Sequence, residues 1–337
     1  MKRLIPLFLA AVFLLGLCAC GKKAVPEAAS PTFAPEATAQ ADTAPVLSPG
    51  AAEQSYLSGS FQTAADGTVC TSLARGEGVT CLYDILPEDI GAVGGFFLTE
   101  SGVYAAVQES YYSMDPAALW FFPSDGGEGQ LLAEDVFPGG IFCLAGDGLF
   151  YTGYNENDIW RLDISTGEAR QVLDASVYFL GAQGGFIYYA KDGALCRNDS
   201  LMASEVTLME HGGIFRLLPD ADCLCLLVSG ETSAVEILEP DGTLRARVEL
   251  GEYTDAILRH GDRIYAPLTA AAAVLVLDLQ GNEVDSFSLP DDGGYHLFFY
   301  AGENELFYET SDGESTVIRA LNPATGDSRL ISEKIIY

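Results

Sequence analysis

The chain has 337 residues, of which 49% are hydrophobic, and its 17 Lys plus Arg against 48 Asp plus Glu give a formal net charge of −31. Such a surface repels phosphate backbones and anionic lipid headgroups, which argues against nucleic acid as a partner and against a basic patch as a membrane anchor. It favours cationic ligands, divalent ions or basic peptides, and it also keeps a folded domain soluble.

Met1-Lys2-Arg3 is a short basic stretch, and Leu4 to Ala19 is an almost unbroken apolar run of 16 residues. A bilayer-spanning helix needs roughly 17–25 apolar residues, and this run ends in small ones, so the pattern is that of a cleavable secretory signal. Leu17-Cys18-Ala19-Cys20 follows. It resembles the bacterial lipobox, in which Leu stands three residues before the lipidated Cys and a small residue stands just before it. Cys20 fits that position; Cys18 would put Leu17 beside the cut. The resemblance implies a signal peptide over 1–19, a diacylglyceryl thioether on Cys20, and an extracytoplasmic protein anchored to the bacterial cell membrane, or to the outer membrane where there is one. Two acyl chains at about 0.8 kcal/mol per buried methylene hold stably where one would not. Loss of Lys2 and Arg3 with the signal takes the net charge from −31 to −33.

Residues 22–54 are rich in Ala, Pro and Thr, and Phe33 is their only aromatic residue. Nothing there can seed a core, so 20–54 reads as the lipidated Cys followed by a disordered tether.

From 55 to 337 no second linker is visible, which points to repetition. A turn followed by an apolar strand recurs in "ESGVYAAV", "GDGLFYTG", "QGGFIYYA", "DADCLCLL", "HGDRIYAP" and "ENELFYET". With Gly102, Gly148, Gly185, Asp222, Asp262 and Glu305 as equivalent positions the spacings are 46, 37, 37, 40 and 43 residues, and a weaker copy puts Gly67 a further 35 upstream. Each anchor is preceded by one short apolar strand and followed by two more around a polar turn, as in "DIWRLDISTGEARQVL". Short runs of Val, Ile, Phe and Tyr bounded by Asp-Gly and Asn-x-x-x-Gly signals are antiparallel strands. Four-stranded units of about 40 residues closing into a ring make a β-propeller. The expectation is an all-β propeller with seven blades, six being the alternative. The first unit is the weak one, and the C-terminal "EKIIY" is expected to fill its open edge.

The repeat resembles the propeller domains of bacterial envelope lipoproteins of the TolB-like, quinoprotein-like and WD40-like kind. It rests on periodicity, because the Gly-His and Trp-Asp marks of WD40 blades are lacking and Trp120 and Trp160, both in third strands, are the only tryptophans. Two tryptophans are too few for the tryptophan-rich docking ring of a quinoprotein. "SDGGEG" and "SDGEST" lack the spacing and terminal Trp of sialidase boxes. No G-x-S-x-G elbow supports a serine hydrolase.

Six cysteines lie beyond the signal and anchor, none in a C-x-x-C pair. A two-residue turn at Arg75-Gly76 would put Cys70 opposite Cys81 as a cross-strand disulfide; small apolar strand residues are the other reading. Cys223 and Cys225, two apart in one strand, point to one face. His211, His260 and His296 fall in different units without metal-spacing partners, and His296 is the one best placed to line a central channel.

Loops from second to third strands and from blade to blade gather on one face. They bring together Tyr111, Tyr112, Met114, Asp115, Tyr154, Glu156, Tyr253, Asp291, Tyr295 and His296 as an aromatic and acidic rim suited to protein or carbohydrate. The functional expectation is a non-catalytic, monomeric binding or scaffold module for a protein, peptide or glycan, with no cofactor. The alternative is a calcium-dependent, lactonase-like hydrolase with carboxylates at the channel mouth. The lipobox predicts that Cys20→Ser abolishes acyl labelling and moves the protein from the detergent phase to the aqueous phase in a Triton X-114 partition. Unchanged partition would refute the anchor.

Overall fold

Along the strands of this protein, adjacent residues are buried in different places. Phe96 and Phe97, Val103 and Tyr104, Tyr188 and Tyr189, Ile264 and Tyr265, and Phe307 and Tyr308 are neighbours in sequence, and each pair is split between two hydrophobic clusters. Side chains alternate across a sheet with period two, so a strand apolar at both parities belongs to a sheet covered on both faces. The computed structural model describes residues 61–332 apart from 64–68, 110–114, 139–142, 155–157, 211–212, 269, 290–294 and 312–315.

Among these residues, six four-stranded antiparallel sheets follow one another in chain order. They are blades I (92–136), II (143–173), III (177–210), IV (214–249), V (258–288) and VI (295–332). The repeat anchors read from the sequence fall at or just before the second strand of each, for example Gly102–Gln108 in blade I and Leu306–Ser311 in blade VI. Second strands are the most buried, Gly148–Thr152 along its whole length, while fourth strands such as Glu283–Ser288 are mostly exposed. First strands of adjacent blades touch one another, which puts them innermost. Trp120 and Trp160 lie in third strands, Ala117–Pro123 and Ile159–Asp163, as read from the sequence.

Each blade shares one apolar cluster with the next. Phe97, Tyr104 and Leu119 of blade I pack with Leu149 and Tyr151 of blade II, and the pattern continues to Tyr265 and Val276 of blade V against Phe298 and Tyr308 of blade VI.

The count corrects the expectation of seven blades: the described residues form six. The segment expected to be the first blade makes a three-stranded sheet of three-residue strands, Phe61–Thr63, Val69–Thr71 and Val79–Cys81. Its last two strands run parallel, pairing Cys70 with Thr80 and Thr71 with Cys81. The hairpin turn expected at Arg75-Gly76 does not form because this stretch is engaged by blade VI. The Gly76 backbone lies so close to the Ile331 carbonyl that a Cβ there would stand 2.2 Å from its oxygen. Arg329 donates to the Glu77 carbonyl at 2.6 Å while its guanidinium holds both Glu305 carboxylate oxygens, each at 2.6 Å. Residues 72–78 thus cross over, and the chain returns beside Val69–Thr71 in the same direction. After Cys81 it enters a single 3-10 turn, Leu82–Asp84, rather than a fourth strand.

The same correction removes the cross-strand bridge: Cys70 and Cys81 are free, buried thiols. Burial, with Cys81 nearby, pushes the Cys70 thiol up to about 12. "EKIIY", expected to fill the edge, lies outside the described residues.

This small sheet still bridges the two ends of the series. Val69, Leu73 and Ala74 pack with Tyr300, Phe307 and Ile331 of blade VI, while Cys70, Leu82 and Leu86 pack with Phe96, Val103 and Phe122 of blade I. Scarce arginines add polar clamps between blades: Arg197 to the Pro240 carbonyl at 3.1 Å, and Arg245 to the Leu279 carbonyl at 3.2 Å. Because Leu82 is fully buried against blade I, Leu82→Ala is expected to lower global stability by about 2–5 kcal/mol in urea unfolding. An unchanged midpoint would mean that the segment is an appendage and not the closure of the ring.

Candidate functional site

In an antiparallel four-stranded blade the turns after the first and third strands lie on one face. The loops after the second strand and the blade-to-blade links lie on the other. The first face is built from tight carboxylate turns. In the turn from Asp163 to Gly167, Asp163 Oδ1 accepts from Ser165 Oγ at 2.6 Å, from Ser165 N at 3.0 Å and from Thr166 N at 3.1 Å. The Ser165 hydroxyl is the largest of the influences that hold the Asp163 carboxyl down at about 2, with the backbone N–H groups and Arg161 assisting. Gly167 takes the left-handed conformation (φ 72°) that closes the turn.

On the second face, loops of different blades are tied together. Leu250 N donates to Ser233 O and Ser233 N to Glu252 O, both at 2.9 Å, which joins the link from blade IV to blade V onto the second-to-third-strand loop of blade IV. Ser233 Oγ donates to Thr254 O at 3.1 Å and accepts from Thr254 N at 3.0 Å. Both residues are buried, Ser233 completely. The Glu252 carboxylate then reaches the neighbouring blade, accepting from Ala270 N at 2.8 Å and Ala271 N at 3.0 Å. Leu289 N donates to Ala272 O at 2.8 Å, tying the next link onto that same loop. Between blades I and II, Phe137 N donates to Thr152 O at 3.0 Å and Tyr154 N to Asp135 O at 2.9 Å.

Tyr253 stands between the two anchored residues Glu252 and Thr254 and is 56% exposed. A large amphipathic side chain on a fixed backbone loses little further freedom when a partner covers it. Asp115 is exposed, with its carbonyl accepting from Gln108 Nε2 at 2.6 Å, and Tyr154 is half-buried. His296 does not belong to the rim: it is 8% exposed, and its ring centroid is 5.3 Å from that of Tyr308. The strand alternation turns it into the blade. His260 ends the first strand of blade V, at a turn on the opposite face from the one where His296 begins its strand. Tyr111, Tyr112, Met114, Glu156, Asp291 and His211 lie outside the described residues, and of Tyr295 only the backbone is described.

The sequence assigns Tyr253 to this face but does not single out the residues that organise it, Ser233, Glu252 and Thr254. Their polar side chains carry no spacing that distinguishes a loop-to-loop tie from an ordinary turn. Asp158, in the "GYNEND" loop, is engaged locally: its Oδ2 accepts from Trp160 Nε1 at 3.0 Å and from Gln171 Nε2. Among the described residues, no group of three or more His, Cys, Asp or Glu side chains is placed to hold a metal ion.

No protein-family model and no curated protein matches this chain. Solved structures do. A prolyl endopeptidase is similar over 68% of this chain and 40% of its own, at 15% identity and a TM-score of 0.52. AztD from Citrobacter koseri is similar over 72% of each chain at 10% identity and a TM-score of 0.48. A chain of a nidogen/laminin complex is similar over 71% of this chain and 95% of its own, at 13% identity and a TM-score of 0.43. At these identities the likeness concerns the fold alone.

Removing the Ser233 hydroxyl leaves the Thr254 N–H and carbonyl without that partner in a buried place. Ser233→Ala is therefore expected to cost about 1–3 kcal/mol in urea unfolding and to raise amide exchange at Thr254. A change within a few tenths of a kcal/mol, with Thr254 still protected, would show that the tie between loops is not structural.

Proposed function

We propose that this protein is a non-catalytic binding or scaffold propeller for a protein, peptide or glycan, held outside the cell by lipid on Cys20. The observation that carries the binding reading is Tyr253. It is presented to solvent from a loop face whose backbone is already fixed by Ser233, Glu252 and Thr254. Tyrosine combines apolar area with a hydroxyl and has only two side-chain torsions to order, which suits either a protein surface or a sugar ring. Asp115 and Tyr154 extend the same face, and the tyrosines of the 109–117 loop fall there by repeat register. The acidic charge of the chain favours a neutral or basic partner.

The anchor reading is supported by the basic start, the apolar run and the Leu-Cys-Ala-Cys stretch of the leader. Together these support a propeller carried on a spacer rich in Ala, Pro and Thr.

The test compares capture of envelope components by the full chain with capture by Tyr253→Ala and Tyr111→Ala/Tyr112→Ala variants. Leu201→Ala, an exposed change on the opposite face, is the control. A partner held by the wild-type protein and by Leu201→Ala is expected to lose at least about tenfold in affinity with the tyrosine variants. Equal retention by all four proteins would reject the face as the binding surface.

A further inference from the structure

Two thiols lie side by side at the interface of blades IV and V. Cys223 and Cys225 are fully buried in the shared apolar cluster with Ile257 and Ile264, and their sulfurs are 3.8 Å apart. Valine would fill such positions without polar consequences, yet this pair has a cation against it. Arg259, from the first strand of blade V, places Nη1 3.3 Å from Cys223 Sγ and Nη2 2.8 Å from Asp220 Oδ2. Arg245 arrives from the fourth strand of blade IV, with Nη2 donating to the Asp222 carbonyl at 2.7 Å. A guanidinium donating to sulfur favours thiolate over thiol and disfavours a bound metal cation beside it.

We propose that Cys223 and Cys225 form a dithiol site oxidised by a small hydroperoxide, with Cys223 as the attacking sulfur and Cys225 as the resolving one. The Cys225 thiol, donating to the Cys223 sulfur, and the two guanidinium groups lower the Cys223 thiol below its ordinary range, whereas Cys225 is raised. Burial works the other way at Cys143 and Cys196, where it raises the thiols. The full burial of both sulfurs selects the oxidant, because hydrogen peroxide is little larger than water and a protein disulfide is not.

In the first step the Cys223 thiolate attacks one peroxide oxygen. An S–O bond forms, the O–O bond breaks, and the departing hydroxide takes a proton to become water. In the second, the Cys225 sulfur attacks the Cys223 sulfenic acid. The S–S bond forms, the S–O bond breaks, and hydroxide leaves with the Cys225 proton as a second water. Two thiols and one hydrogen peroxide thus give one disulfide and two waters; the sulfurs lose two electrons and the peroxide gains them.

Closure needs a local shift of the backbone. The two sulfurs already stand 3.8 Å apart, but parallel side chains two apart on an extended strand have Cβ atoms about 6.6 Å apart, outside the roughly 3.5–4.5 Å that a disulfide spans. Cys223 lies just before the strand Leu224–Ser229, so the movement falls at the strand's end. A bridge formed this way is strained and more readily reduced than a relaxed one, which makes the couple reversible.

The test takes the full chain, reduced, and exposes it folded to hydrogen peroxide. It is then unfolded, alkylated, cleaved after Lys and Arg and weighed. The peptide 217–245, which holds only these two cysteines, is expected to become unalkylatable and about 2 Da lighter, and to do so at least about tenfold faster than Cys143 or Cys196 loses its free thiol. Cys225→Ser should stop at a sulfenic acid on Cys223, which dimedone present in the unfolding buffer traps as the chain opens. Arg259→Gln should slow the reaction by about tenfold and Arg259→Lys by less, the circular dichroism of each matching the parent. Both sulfurs of 217–245 remaining alkylatable, oxidation no faster than at Cys143 and Cys196, or no dimedone adduct in Cys225→Ser would each overturn the proposal.

Discussion

A four-stranded sheet with apolar residues on both faces has no stable existence alone, and this constraint governs the rest of the protein. Every blade buries one parity of its strands against the preceding sheet and the other against the following one. Leu224, Leu226 and Val228 face blade III, while Cys223, Cys225 and Leu227 face blade V. The favourable energy therefore lies between units rather than within them, and an uncovered sheet at either end would expose a full apolar face. Closure is obligatory.

The closing element is not a blade. Three short strands and a 3-10 turn cover Phe307 and Ile331 on one side and Phe96 and Phe122 on the other. Shape matters less here than apolar coverage on two sides, which is why a sheet with one parallel pair can stand in the gap. Polar groups then fix where it stands. The grip of Arg329 on Glu305 and the Glu77 carbonyl, and the close approach of Gly76 to Ile331, tie residues about 250 apart in sequence.

The same logic separates the two faces of the molecule. One face carries turns that satisfy their own backbone through Asp163, Asp278 or Asn322. The other carries longer loops that satisfy each other, through Ser233 and Glu252. A fixed loop surface with an exposed tyrosine follows from that second arrangement. The interface of blades IV and V, by contrast, places a polar contact inside an apolar cluster, where the low dielectric strengthens the effect of Arg259 on the Cys223 sulfur.

Much of the fold was legible because it is local and repeated. The anchors at Gly102, Gly148, Gly185, Asp222, Asp262 and Glu305 mark second strands, since a turn residue followed by apolar residues of both parities is what a doubly covered strand requires. The blade number was misread for a related reason: "ADGTVCTS" has the local pattern of a blade, but pairing is decided by what lies beside it, and Ile331 and Arg329 lie beside it from the far end of the chain. His296 was assigned to a rim because register along a strand does not say which parity faces inward. The sequence by itself determined that the chain is a series of β-units with both faces apolar, because alternation and turn chemistry are properties of neighbouring residues. Only the tertiary structure decided how the series closes, which loops hold one another and which sulfur meets an arginine, because these depend on contacts between residues that the chain keeps far apart.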